Sequence, residues 1–294
     1  MTSVNAAGPA TLGYEVLASG PIPLALTDVT PDGQPRSWAP LSTTLVFGAR
    51  DAVLIDPPLT AAQATAVGDR VVAGGRRLTH IVVTHAHGDH WFTAAALAGR
   101  FPGVQVVAAP GTIAQMHRTV AAREAFWDAV LPDQIPPSPV IAVAVPGNRI
   151  ELEGHEVAIV EVGHSDTDDT AVVHVPELRL VVAGDVVYDG VHPFLVESAE
   201  GGRDAWRRAI DQVERLQPLH LVAGHSRPGL DHDAARPVVE TRRYLDDVDE
   251  LLSRHSTAAD FFTAMRERHP DRLGVSTLWG GAMALYAPAR LPAD

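Results

Sequence analysis

The stretch "THAHGDHWF", residues 84–92, sets four groups able to bind a metal within six positions: His85, His87, Asp89 and His90. Neutral imidazole and carboxylate both ligate zinc and related ions. Three more residues share one local grammar, an apolar run of strand length, a glycine, then a ligand-type side chain. They are His164 in "VEVGHSD", Asp185 in "LVVAGDVVY" and His225 in "HLVAGH". Groups placed just past the carboxyl ends of strands are how α/β proteins assemble a site from distant sequence. Seven ligands exceed the four of a single tetrahedral ion and suit two ions sharing a bridge. Two such ions hold a hydroxide nucleophile near neutral pH, polarise a carbonyl and stabilise the departing atom. The chemistry is hydrolysis of an ester, lactone, amide or thioester, with Asp89 also able to accept a hydrogen bond from the hydroxide and keep it aimed. No serine nucleophile is needed, and "GHSRPG" (224–229) fails the G-x-S-x-G turn because Pro228 stands where the second glycine belongs.

The run His85-Ala86-His87-Gly88-Asp89-His90 spells H-x-H-x-D-H, and the chain from about residue 41 to 230 resembles the metallo-β-lactamase superfamily in the order and approximate spacing of its ligands. Asp56 in "VLIDPP" matches that family's Asp after an early strand. The resemblance implies an α/β fold, an αββα four-layer sandwich with the metals at the edge of two stacked mixed sheets. Carried over by position, His85, His87 and His164 bind a first ion, and Asp89, His90 and His225 a second. Asp185 bridges the two, and Asp56 orients the ligand loop from behind. The expected cofactors are two Zn2+ ions, with iron or manganese compatible with the same residue types.

Within that superfamily, Asp185 and the absence of cysteine resemble the glyoxalase-II-like, lactonase and phosphodiesterase branches more than the penicillin-hydrolysing enzymes. The further histidine of glyoxalase II is not matched, since Asp168 and Asp169 lie in its place. Tyr188 follows Asp185 by three residues, an offset similar to that of a tyrosine in N-acyl homoserine lactonases. Its hydroxyl either donates to a developing oxyanion or simply packs at a strand end. His192 and Phe194 share the next loop, His192 as a pocket wall, while Trp91 and Phe92 follow the ligand loop directly. Met116, Phe126 and Trp127 sit in the segment 111–139, where the superfamily often inserts a lid. The expected function is therefore a dinuclear zinc hydrolase of a small apolar ester, lactone or thioester. The alternative is an iron-dependent oxidoreductase resembling persulfide dioxygenases, which would leave Asp89, His90 and His225 without a second ion. β-Lactamase, nuclease or non-catalytic binding roles stand behind these.

The elements that must position these residues alternate along the chain. "LSTTLVFG" and "AVLID" read as strands, "TAAQATAVGDRVVAG" as a helix, and "HIVVTH" and "VQVVAA" as strands covered on both faces. "FTAAALAGRF" and "GTIAQMHRTVAAREAFWDAV" follow as helices. A second half repeats the logic, with "RIELEG" and "HEVAIVEVG" as a hairpin, "TAVVHV", "LRLVVAGD" and "HLVAGH" as strands, and helices at "GRDAWRRAIDQVERL" and "AARPVVETRRYLDDVDELLSR". The halves meet near Pro132 to Pro146, and residues 1–294 read as one domain. A net charge of −13 and no basic cluster argue against a nucleic-acid partner. The expected partner is a small-molecule substrate. No basic leader followed by an apolar run and no run of about 18 apolar residues appears, so the expected location is cytoplasmic, away from membranes.

Overall fold

The computed structural model describes residues 11–287. The first sheet contains β1 (Gly13–Ser19), β4 (Leu41–Phe47), β5 (Asp51–Ile55), β6 (Arg77–Val83) and β7 (Gln105–Ala108), in the order β1-β4-β5-β6-β7. A two-stranded pair, β2 (Ile22–Pro23) and β3 (Ser37–Trp38), lies between β1 and β4 in the chain. The second sheet is β12-β11-β10-β9-β8, built from β8 (Arg149–Leu152), β9 (His155–Gly163), β10 (Thr170–Val175), β11 (Leu180–Gly184) and β12 (His220–Ala223). Both sheets are mixed. β5, β6 and β7 run parallel, as do β11 and β12, and the remaining pairs are antiparallel.

Burial explains the strand sequences. β11 is buried at every residue, which is why it reads as a continuous apolar run rather than an alternating one. β8 and β9 form the expected hairpin, closed by Glu153 and Gly154, both at positive φ (51° and 90°), as a tight primed turn requires.

The helices form the outer layers. α1 (Ala61–Ala73), α2 (Ala94–Arg100) and α3 (Pro110–Val130) cover the first sheet. α4 (Gly202–Arg215), α5 (Ala235–Arg254), α6 (Ala258–Arg268) and α7 (Val275–Leu285) cover the second. α1 opens on a full capping box, in which the Gln63 amide N–H donates to Thr60 Oγ1 and the Gln63 side chain accepts from the Thr60 amide. α4 buries Trp206, Ala209, Ile210 and Val213, the single stripe its i, i+3, i+4, i+7 spacing dictates.

Three apolar clusters result. One, with Val53, Ile55, Val82, Val173 and Val182, lies between the sheets, and the other two lie between each sheet and its helices. This is the αββα sandwich. β1, the β2–β3 pair, α6 and α7 lie outside the elements expected from the sequence. Among the described residues, no helix is long and apolar enough to cross a membrane.

Candidate metal centre

The ligand loop leaves the carboxyl end of β6, and its neighbour β5 ends one residue before Asp56. Asp56 adopts φ 52°, and its carboxylate accepts from the Thr84 amide at 2.9 Å and the Thr84 hydroxyl at 2.7 Å. The same carboxylate meets His90 Nδ1 at 3.2 Å. That contact fixes the tautomer of His90 with the proton on Nδ1, so the lone pair at Nε2 points into the site. Asp56 thus contacts both the loop backbone at Thr84 and the His90 ring, and its carboxylate also converges with His85 and His90. Trp91 is fully buried beneath the loop, and its indole N–H donates to the Ala86 carbonyl at 3.1 Å.

From the second sheet, β11 delivers Asp185 and β12 delivers His225. His225 Nδ1 lies 2.7 Å from the Pro40 carbonyl, leaving its Nε2 lone pair toward Asp89 Oδ2 (3.2 Å) and Asp185 Oδ2 (3.4 Å). His90 Nε2 is 3.4 Å from Asp185 Oδ1 and 3.6 Å from Asp89 Oδ2. Asp89, His90 and His225 thus form one group of converging ligand atoms.

The second group is His85, His87, Asp185 and, in place of the expected His164, Asp166. His87 Nδ1 is 2.8 Å and His85 Nε2 3.8 Å from Asp166 Oδ2. Among the described residues, His164 is not in either group. The chain leaves β9 through Gly163 at φ 87° and curls over 164–169, carrying the fully buried Asp166 inward. His164 instead pairs through Nδ1 with Asp168 Oδ1 at 2.7 Å, and its Nε2 is buried without a partner. No spacing rule in the sequence distinguishes Asp166 from a loop aspartate.

Whether cations fit here is answered by the atoms left without partners. His85 Nε2, His90 Nε2, His164 Nε2, Asp89 Oδ1 and Asp185 Oδ1 are buried with no hydrogen bond, and Asp166 Oδ2 meets only the His87 and His85 rings. Buried polar atoms of this kind are costly unless something binds them. The buried carboxylates Asp56, Asp89, Asp166 and Asp185 are met by imidazoles, hydroxyls and an indole, with no arginine in the groups. Two divalent cations would offset four such charges, so the residues fit the group.

Without cations, protons take that role. Burial disfavours charge on His90, yet Asp89, Asp185 and Asp56 outweigh it and push its pKa up to about 9. His225 is raised well above the usual imidazole range by Asp185 and Asp89 against the same burial, and His87 by Asp166 and Glu197. Burial and the neighbouring His90 hold His85 well below that range, so it stays neutral. Asp89 and Asp185 sit below the carboxylate range because nearby imidazoles overcome their burial.

Two residues near the ligands carry polar contacts the sequence does not announce. Trp38, at the end of β3, donates its indole N–H to Asp89 Oδ2 at 2.8 Å. Tyr188 donates its hydroxyl to Asp185 Oδ2, and its ring lies parallel to His225, 4° between planes with centroids 5.6 Å apart. Burial and Asp185 raise the Tyr188 pKa well above its ordinary value, so it remains a neutral donor.

A cavity of about 640 Å³ opens over both groups, lined by His87, Asp89, Asp185, Tyr188 and His225 on one side. Phe126 and Trp127 of α3 line it too, with Phe194, Val196 and Met283, whereas Met116 is buried in the helix–sheet core. His192 does not line it: the ring is buried, with Nδ1 2.9 Å from the Tyr244 hydroxyl.

The fold has counterparts among solved structures. A metallo-beta-lactamase family protein from Thermus thermophilus superposes with TM-score 0.62 at 19% identity, covering 93% of this chain and 91% of that one. A beta-lactamase domain protein from Burkholderia ambifaria gives TM-score 0.62 at 16% identity, with coverages of 92% and 84%. The metallo-beta-lactamase FIM-1 from Pseudomonas aeruginosa, solved in a mono-zinc form, gives 0.55 at 16%, with 80% and 91% covered. No curated protein matches the sequence. The sequence model of the metallo-beta-lactamase superfamily matches residues 37–225, a span that reaches from β3 through His225 and holds every residue of both ligand groups, so the chain belongs to that superfamily.

Proposed function

We propose that the protein is a hydrolase working with two zinc ions on the carbonyl of a small, largely apolar ester, lactone or thioester. The observation that carries this reading is the set of buried, unpartnered imidazole and carboxylate atoms at the polar end of an otherwise apolar cavity. His85, His87, Asp166 and Asp185 would hold one ion; Asp89, His90, His225 and Asp185 would hold the other. Bound there, the ions supply Lewis acidity and lower the pKa of water toward neutrality.

The chain's own residues do the rest. Asp56 and Pro40 fix the tautomers of His90 and His225 through their Nδ1 atoms, which presents both Nε2 lone pairs. Trp38 and Tyr188 hold one oxygen each of Asp89 and Asp185, leaving the Oδ1 atoms free. Phe126, Trp127 and Phe194 surround an acyl group and exclude water from it.

The test joins metal analysis to turnover. Purified protein is expected to retain about two zinc ions per chain and to hydrolyse members of a panel of aryl esters, lactones and thioesters. About one iron per chain, with no hydrolysis after zinc loading, would overturn the reading and favour oxygen chemistry on a sulfur substrate.

A further inference from the structure

The four histidines of the ligand groups are not all presented in the same way. His90 and His225 turn Nε2 into the site, with Nδ1 met by Asp56 at 3.2 Å and by the Pro40 carbonyl at 2.7 Å. His85 does likewise, its Nδ1 lying 3.0 Å from the Thr84 hydroxyl and its Nε2 3.8 Å from Asp166 Oδ2. His87 is reversed. Its Nδ1 lies 2.8 Å from Asp166 Oδ2, so Nδ1 is the atom on the ligand side, and its Nε2 lies 3.3 Å from Glu197 Oε1. A ring nitrogen binds a metal only with its lone pair free, which puts the proton of a neutral His87 on Nε2. Glu197 is the acceptor for that proton.

Glu197 comes from another part of the fold, the segment between β11 and α4, and both of its oxygens are engaged. Oε2 accepts from the Thr167 hydroxyl at 2.7 Å, one residue after Asp166. The carboxylate therefore ties the His87 ring to the loop carrying Asp166, two members of one ligand group. A surface glutamate beside a histidine by chance would keep its second oxygen in water. Ligand histidines almost always give their other ring N–H to a carboxylate, a carbonyl or water, and Glu197 completes that set here. Thr84, Asp56 and Pro40 are buried, whereas the Glu197 side chain is 45% exposed and lines the cavity beside His87. The group of His85, His87, Asp166 and Asp185 is thus aimed in part by a carboxylate that water reaches, and the histidines of the other group by buried partners.

We infer that Glu197 is the positioning residue of the His85, His87, Asp166 and Asp185 group: it fixes His87 as an Nδ1 ligand and, through Thr167, keeps Asp166 within reach of the same ion. The affinity of this group for its ion then depends on Glu197, and that of the other group does not. The inference rests on the two-ion part of the hydrolase reading and deepens it.

The experiment titrates the metal-free full chain with zinc against a chromophoric chelator, and reads the histidine ring nitrogens of the zinc-loaded protein by heteronuclear NMR. Wild type is expected to bind about two ions per chain, with the His87 ring, identified by its loss in His87→Gln, ligated through Nδ1 and protonated at Nε2. In Glu197→Ala one of the two affinities should fall about 10- to 100-fold, as loss of a ligand's supporting partner does. The other affinity should hold, and the His87 Nε2 proton should be lost to exchange with water. Glu197→Gln should restore most of the lost affinity and the proton signal, because its amide oxygen still accepts. Equal losses at both ions, unaltered zinc binding in Glu197→Ala, or a His87 bound through Nε2 in wild type would overturn the proposal. Glu197→Gln as poor as Glu197→Ala would overturn it too, since the carboxylate would then act through its charge alone. A wild type that takes up no zinc sinks both readings. One that binds both ions with the expected spectrum yet cleaves no ester, lactone or thioester sinks the hydrolase reading and keeps the positioning role.

Discussion

At the scale of single residues, the ligands are less informative than the groups that aim them. Asp185 faces both ligand groups, so Asp185→Ala is expected to lower retained zinc from about two ions to one or fewer and to remove most turnover. Full activity with one ion per chain would refute its bridging role. Tyr188 donates to that same carboxylate. Tyr188→Phe removes the donor and keeps the ring against His225, so metal affinity is expected to fall about 10- to 100-fold. A variant with unaltered zinc affinity and a lowered kcat would instead assign the hydroxyl to the substrate's oxyanion. The loop 85–90 is legible in the sequence because its four ligands are nearly contiguous, and Asp56 because it ends an apolar strand. Trp38 and Pro40 are not legible, since their partners Asp89 and His225 are distant in sequence, 51 and 185 residues away. Asp166 joins a group of converging ligand atoms and His164 does not, just after the chain leaves β9 at Gly163 with φ 87°, a backbone turn no side-chain pattern records. Proximity in sequence makes His192 a pocket wall, but the loop turns its ring toward α5 and Tyr244.

At the scale of elements, the strand ends matter more than the strands. Gly224 closes β12 where that strand passes Asp185 and His90, and a Cβ there would collide with Asp185 Oδ1 and press on His90 Cε1. Gly224→Ala is expected to empty the group of Asp89, His90 and His225 first, read as zinc content falling toward one per chain in a protein that still folds. Retention of both ions would show that the strand end yields. α3 supplies the apolar wall. Trp127 is 6% exposed and packs on Trp38 and Phe92, with ring centroids 4.9 and 5.5 Å apart. Trp127→Ala is expected to raise KM about tenfold with zinc retained, and to cost roughly 3–5 kcal/mol of stability as a large buried truncation. Unchanged kinetics would remove α3 from the substrate's surroundings. The strands and amphipathic helices of both halves are legible from apolar period. β1 escapes such a reading because all but one of its residues are half-buried, so no alternation marks it. α7 escapes it because it is apolar with little facial bias, the pattern of a helix packed on several sides.

At the scale of the whole molecule, proton and metal compete for one charged centre. In the metal-free fold His90 has a pKa of about 9 against an ordinary 6.5, and His87 and His225 are raised too. A raised folded pKa adds stability that is fully present below the unfolded value and lost as pH climbs through the folded one. The chelator-treated protein should therefore melt at progressively lower temperature between pH 6.5 and about 9. The depressed carboxylates Asp89 and Asp185 act in the other direction, with stability present above about 3.8 and lost as acid protonates them. Zinc bound there would remove the alkaline loss, since it would replace the protons. The gain in Tm on adding zinc should thus be larger at pH 9 than at pH 7; equal gains would show that the imidazoles are neutral before metal arrives.

The ligands of each group come from both sheets, His85, His87, Asp89 and His90 from the first and Asp166, Asp185 and His225 from the second. An ion bound in either group would therefore also be a rivet through the seam of the sandwich. Loading and emptying the site would change how far the two halves can breathe apart, and the mouth of the substrate cavity, which borrows walls from both halves, would widen or narrow with them. Metal supply would then set the aperture of the enzyme as well as its reactivity.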